Sequence, residues 1–190
     1  RAPITEISPL QPYDDYTKSK WEAEESLRQF SAGSDLEVVI VRPALVYGPD
    51  APGNFGLLLK NSGKRLPLGA VKNKRSLISV RNLADFLVTC CTHPDAAGES
   101  FVIGDGRDWS TAELIEAVAD AQDTDAKLLP VPPLLLRAGA AVTGKRKMAS
   151  RLLDNLQVDI SKATHLLGWR PPYAAEDELA MSAKLSSRNP

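Results

Sequence analysis

Metal chemistry and disulfide bracing have little to work with in this 190-residue sequence, which contains two cysteines and two histidines. Cys90 and Cys91 are neighbours inside an apolar run. That placement cannot brace a fold as a disulfide and suits buried, reduced thiols in a cytosolic protein. His93 and His165 add no zinc-ligand spacing, so no metal is expected. Charge of one sign is lacking too: 23 Lys and Arg against 24 Asp and Glu leave a net charge of −1. Such a balance offers no overall basic field to nucleic acid or anionic lipid, and any anion must be held by local arginines or helix ends. Long hydrophobic runs are absent. The most apolar stretch, Leu128 to Val142, is interrupted by Pro130, Pro132 and Pro133 and falls short of a membrane span. No signal-peptide pattern opens the chain, and a cytoplasmic protein is expected. The first residue is Arg1, and the opening RAPITEISPLQP is irregular and polar, so further sequence is expected upstream.

Hydrophobic residues at 43% and charged residues at 25% are those of a globular protein. Pro12 to Phe30 carries helix formers without an internal Gly or Pro, and Gly33 follows as a stop. Leu36 to Val41 is a short β-branched run that suits a parallel strand buried on both faces, ended by Arg42-Pro43. Helices are expected at 55–62, 82–92, 110–121, 134–142 and 149–154, from Asp159 or Ser161 to Gly168, and at 175–187, with strands at 76–80 and 99–103. Ser110 with Glu113 forms a capping box. Alternating strands and helices make this an α/β chain.

The sharpest chemical pattern is Tyr16-Thr17-Lys18-Ser19-Lys20. On a helix the i, i+4 spacing puts the phenol and the ammonium on one face. A free tyrosine, with a pKa of about 10, is a poor base at neutral pH, and a nearby cation favours its phenolate. Alone, the pattern is common, and a surface tyrosine beside a snorkelling lysine would explain it. Two glycine patterns are dismissed as turns: GAAVTGKR lacks the Ser or Thr of a phosphate loop, and Gly104-Asp105-Gly106 meets Trp109 where a third glycine belongs.

The pattern does not stand alone. PYDDYTKSKWEAE resembles the P-x-x-x-Y-x-x-S-K-x-x-x-E segment of extended short-chain dehydrogenases/reductases. VRPALVYGP resembles their R-P-x-x-V-Y-G-P turn, and NKRSLISVRNLADFLV their R-x-x-x-x-V-x-D-L-A segment. VDISKATHLLGWRPP is similar to the D-x-S-K-x-x-x-x-L-G-W-x-P ending of nucleotide-sugar epimerases. The segments occur in the family's order along nearly the whole chain.

The resemblance implies the later part of a Rossmann-type parallel sheet interleaved with a smaller α/β substrate domain. Residues 1–50 would complete the dinucleotide-binding domain, and 51–190 would be mainly substrate domain, with 76–106 interleaving. It also implies NAD as cofactor, a nucleotide sugar as substrate and a homodimer, with no nucleic acid and no membrane span. Tyr16 would be the acid/base and Lys20 would bind the nicotinamide ribose. Pro43, Ala44, Leu45 and Val46 would line the nicotinamide. Asn54 and Arg75 would contact the substrate diphosphate, Arg151 is a second phosphate candidate, and Leu156 falls where the family tunes room for an N-acetyl group. For Arg75 the plainer reading is a solvated charge beside Lys72 and Lys74. The implied reaction is C4 epimerisation of a UDP-hexose or UDP-N-acetylhexosamine, as in polysaccharide biosynthesis. A reductase or dehydratase of the same family, or a non-catalytic or truncated relative, are the alternatives. The glycine-rich dinucleotide fingerprint and the Ser or Thr that completes the catalytic group are absent, and Arg81 stands where the family often has Asp.

Overall fold

The computed structural model describes residues 2–12, 14–49, 56 and 63–186. Helix α1 spans Asp15–Ala32 and is followed by strands β1, Ile40–Pro43, and β2, Leu45–Tyr47. Then come β3, Arg65–Leu66, β4, Arg75–Ser79, and α2, Val80–Thr92. Strands β5, Ser100–Ile103, and β6, Asp108–Trp109, lead into α3, Thr111–Ala121. The remaining elements are β7, Lys127–Leu128, and helices α4, Pro133–Val142, α5, Arg146–Leu153, α6, Ser161–Leu167, and α7, Ala175–Ser186. The helix expected over 55–62, and the expected end of α7 at 187, lie outside the described residues.

Strands pair as β1 with β5, β2 with β4, and β3 with β7, all parallel, while β6 joins β4 antiparallel. The chain changes partners within one residue. Pro43 lies opposite Ile103, Ala44 donates its N–H to the Ile103 carbonyl at 2.8 Å, and Leu45 already lies opposite Leu77. The apolar run expected from Leu36 pairs only from Ile40, because β5 begins at Ser100, its partner in register. Nor is it buried on both faces: Ile40 to Arg42 are half-buried and Leu36 is exposed.

Strand β4 holds two cores together. Side chains alternate across a strand, so Leu77 joins Tyr47, Trp109, Leu114, Val118 and Leu179 on one side. Ile78 joins Phe86, Phe101, Ile103 and Trp169 on the other. Phe86 meets Trp169 edge-on at 4.8 Å and Phe101 at 5.5 Å, arrangements that aromatic rings prefer over a face-to-face sandwich. The indole N–H of Trp169 donates to Asp85 at 2.8 Å, so its one polar atom is satisfied. Leu68, Val71, Ile115 and Leu153 form a third cluster under α4 and α5.

Local signals set the helix ends. The Ser110–Glu113 capping box is present, and α6 stops at Gly168 in the left-handed conformation, φ 62°, which glycine adopts without steric cost. Asp159 accepts the Ser161 N–H at 2.8 Å, so α6 starts at Ser161. The irregular opening segment is tied down: Ile4 donates its N–H to the Gln157 carbonyl at 2.7 Å and accepts from Asp159 N–H at 2.8 Å. Glu6 accepts the Val102 N–H at 2.8 Å. The cysteines are both free, and one expectation is corrected: Cys91 is exposed and Cys90 only half-buried. The last turn of α2, which carries them, packs just one flank on the sheet. Burial pushes the Cys90 thiol up to about 11, so it stays protonated and inert at neutral pH. Among the described residues no helix is long and apolar enough to cross a membrane.

Candidate active site

Helix α1 begins at a reciprocal cap. Asp14 accepts the Thr17 N–H at 2.8 Å while Thr17 accepts the Asp14 N–H at 3.2 Å. One turn on, Tyr16 and Lys20 share a face, with the Lys20 ammonium 5.7 Å from the Tyr16 ring centroid. Tyr16 is 68% exposed, and α1 buries no side chain among the described residues. Ser19, between them in sequence, turns back to donate to the Tyr16 carbonyl at 2.8 Å.

Glu24 fixes this helix to the strand behind it. Arg42 donates through Nε at 3.1 Å and through Nη2, and Arg28 donates at 3.0 Å. Burial opposes ionisation of Glu24, but the two guanidiniums outweigh it and hold the carboxyl below its usual range. Arg28 also donates to Ser100 of β5 at 2.6 Å, and Arg42 to the Glu6 carbonyl at 3.1 Å. The glutamate of the Tyr-x-x-x-Lys segment and the arginine of the Arg-Pro turn are thus one ion pair, a link between two motifs that sequence spacing did not show. Tyr16, Lys20, Trp21, Glu24 and Arg42 line a single hollow with Pro12.

Pro43, Leu45 and Val46 are exposed at the strand change, while Ala44 is buried. Asn54 lies outside the described residues. Arg75 is half-buried between the exposed Lys72 and Lys74, and its guanidinium donates to the Asp154 carbonyl at 3.1 Å. Burial lowers its pKa, and the charge of Asp154 opposes that shift. A freely solvated charge would show neither. Leu156 pairs with the same segment, donating to the Lys74 carbonyl and accepting from Ser76 N–H, both at 2.8 Å. Arg151 lies exposed in the last turn of α5, three residues before Asp154. Hydrogen bonds from Thr17 chiefly hold the Asp14 carboxyl low, and the charges of Lys147 and Arg151 add to them.

A second polar centre lies at Gly104-Asp105-Gly106, where the sequence pattern alone shows only a turn. Asp105 is buried and accepts from Tyr47 Oη at 2.8 Å, Asn82 Nδ2 at 2.7 Å and Ser79 N–H at 3.1 Å. Asn82 completes its own bonds with the Tyr173 carbonyl at 3.0 Å and N–H at 3.1 Å. An acid one glycine beyond an apolar strand is the available signal. Arg81 is no idle surface change: it pairs with the buried Glu178 at 2.8 Å and stacks 3.6 Å over the Tyr173 ring.

Asp105→Ala leaves several buried donors short of an acceptor, and we expect it to cost about 2–4 kcal/mol in urea unfolding. Burial raises the Asp105 carboxyl, against the pull of Asn82, Tyr47 and Ser79. The folded state then binds that proton more tightly than the unfolded chain. Its contribution is complete below the unfolded pKa of about 3.9 and is lost as pH rises through the higher folded value. The stability of the parent relative to Asp105→Asn should therefore fall as pH rises above the unfolded pKa of about 3.9. A flat difference would contradict the linkage.

Residues 1–104 match the model of the NAD dependent epimerase/dehydratase family. A UDP-glucose 4-epimerase of Vibrio cholerae is 43% identical over 176 residues, which cover 91% of this chain and 54% of that protein. An N-acetyl-alpha-D-glucosaminyl-diphospho-ditrans,octacis-undecaprenol 4-epimerase of Escherichia coli O157:H7 is 28% identical over 190 residues, 92% of this chain and 57% of its own length. The crystal structure of UDP-glucose 4-epimerase from Bifidobacterium longum in complex with NAD+ and UDP superposes with a TM-score of 0.72 at 21% identity. That match covers 100% of this chain and 60% of the other. The chain thus spans little more than half the length of the relatives it matches.

Proposed function

The chain belongs to the NAD dependent epimerase/dehydratase family, and from that premise we propose that it carries the acid/base pair and diphosphate grip of a nucleotide-sugar 4-epimerase. The observation that carries this reading is Tyr16 with Lys20, held on one exposed helix face that Glu24 anchors to Arg42. Among the described residues neither the phenol nor the ammonium has a hydrogen-bond partner, which leaves both for ligands. Residues 1–50 complete the dinucleotide-binding domain, and 51–190 supply mainly the substrate domain.

NAD bound here would supply the hydride acceptor and donor for C4. Tyr16 would exchange the 4-hydroxyl proton, and Lys20, on the same helix face, would hold the nicotinamide ribose. After the 4-keto sugar had turned over, Tyr16 would return the proton to its oxygen. Pro43 to Val46 offer backbone groups to the nicotinamide. The fit is one of charge and exposure: an ammonium beside a phenol, with Pro43, Leu45 and Val46 exposed at the strand change. Arg75 and Arg151, with Asn54, grip the diphosphate, for which a guanidinium fork is suited. A diphosphate joins the sugar to its carrier in UDP-glucose and, by its name, in the substrate of the E. coli relative. Helix α1 exposes Trp21, Leu27 and Phe30, a face available to a homodimer. A cytoplasmic enzyme of polysaccharide biosynthesis is the setting this chemistry fits.

The test is incubation of the intact enzyme and NAD with a panel of UDP-hexoses and UDP-N-acetylhexosamines, with products read by NMR. The C4 epimer is expected, without net change in nicotinamide. Stoichiometric consumption of reduced nicotinamide would select the reductase instead, and a 4-keto-6-deoxy product the dehydratase.

A further inference from the structure

From Lys127 to Leu153 the sequence has six basic residues and no Asp or Glu, although the net charge of the chain is −1. This segment also carries the most exposed apolar side chains of α4: Leu134 is 77% exposed, Leu135 61% and Val142 90%. With Ala138 they fall at i, i+1, i+4 and i+8, one stripe about 100° wide on a helix. The opposite face is the one that packs, through Leu136 against the third core cluster, where Ala149 and Leu152 of α5 join it. Gly144, at φ 71°, makes the left-handed turn between the helices. Val142 to Met148 are exposed without a break, so Lys145, Arg146 and Lys147 flank the apolar stripe. Lys145 and Arg146 make no ion pair among the described residues.

A leucine stripe bordered by uncompensated cations is the pattern of a helix lying in the interface of an anionic bilayer. A nucleic acid would leave the leucines and valine in water. A second copy in a two-fold contact would bring two like-charged runs together. Arg75, read above as a diphosphate residue, donates at 3.1 Å to the carbonyl of Asp154, the C-cap of α5, which puts this surface at the edge of the site. We propose that α4 and α5 lay the rim of the active site on an anionic lipid bilayer, so that the site receives a sugar diphosphate borne on a lipid carrier. The carrier rests on the diphosphate reading above, and the docking rests on the surface alone.

Flotation of the intact enzyme with vesicles tests the docking. Phosphatidylcholine vesicles containing about 30% phosphatidylglycerol should capture the enzyme roughly tenfold better than pure phosphatidylcholine, and salt should weaken the capture. Leu134→Asp with Val142→Asp, and separately Lys145→Glu with Arg146→Glu, should each lose roughly tenfold in capture. Both variants should melt like the parent and turn over soluble UDP-sugar at its rate, because all four residues are exposed. Absent capture of the parent, or capture unchanged in both variants, would overturn the docking. So would a parent dimer that the Leu134→Asp, Val142→Asp variant converts to monomer, since the stripe would then be a protein interface. With a polyprenyl diphosphate N-acetylhexosamine in the same vesicles, turnover should fall in step with capture. Vesicle capture with turnover of soluble UDP-sugar alone would overturn the lipid-borne substrate. Capture without turnover of any sugar would instead contradict the epimerase reading and leave the docking intact.

Discussion

Tyr16→Phe in the intact enzyme should lower epimerase turnover by about 10²–10⁴-fold, the usual contribution of a positioned general acid/base. The substitution keeps the ring and removes only the hydroxyl. Folding should not change, because Tyr16 is 68% exposed and lies outside every core cluster. NAD affinity should survive for the same reason of economy: Lys20 and the helix remain. Tyr13→Phe, in the same PYDDY segment but outside the Tyr-x-x-x-Lys spacing, is the control and should lose much less. Stopped assays at saturating substrate separate turnover from binding. Parental turnover in Tyr16→Phe would return α1 to a binding role.

Arg75→Ala should raise the KM for UDP-sugar by about 30- to 1,000-fold, the equivalent of the roughly 2–4 kcal/mol lost with a charge-assisted phosphate contact. NAD affinity should hold, since the substitution lies on β4 and not on α1. Arg75 also donates to the Asp154 carbonyl, so thermal melting must be measured beside kinetics. Arg75→Lys separates the two effects: it keeps a charge and loses the fork, and its KM should fall between those of the parent and Arg75→Ala. A KM unchanged in Arg75→Ala would make the residue a structural strut for the α5 end.

How far these assignments were legible depended on whether the signal was local. Capping boxes, the Gly168 stop and the i, i+4 spacing of Tyr16 and Lys20 are written in adjacent residues, and α1, α3 and α6 form as that chemistry dictates. Strands β3, β6 and β7 are two residues long and β2 three. Such elements have no periodicity to read, and only their partners across the fold define them. The same holds for polar pairs. Glu24 and Arg42 were each visible in a motif, but their contact crosses from helix to strand. Asp105 looked like a turn residue because its donors, Tyr47, Ser79 and Asn82, come from three other places in the chain. The basic run at Lys145 to Lys147 is legible in the sequence, but the net charge of −1 describes the chain and not the segment 127–153, and only the fold sets that run beside the exposed stripe of α4. Arg75 shows the converse, a residue whose motif was clear while its half-burial and its bond to Asp154 needed the fold.

Epimerisation by hydride return has a signature that no solvent-proton route shares. The C4 hydrogen leaves and comes back through the cofactor, whereas only the hydroxyl proton handled by Tyr16 exchanges with water. The most direct measurement is therefore to run the intact enzyme with NAD and UDP-hexose or UDP-N-acetylhexosamine in D2O and read the C4 position by NMR. The C4 epimer should accumulate with protium retained at C4. Deuterium at C4 of the epimer, or no epimer with any of these sugars, would contradict the account.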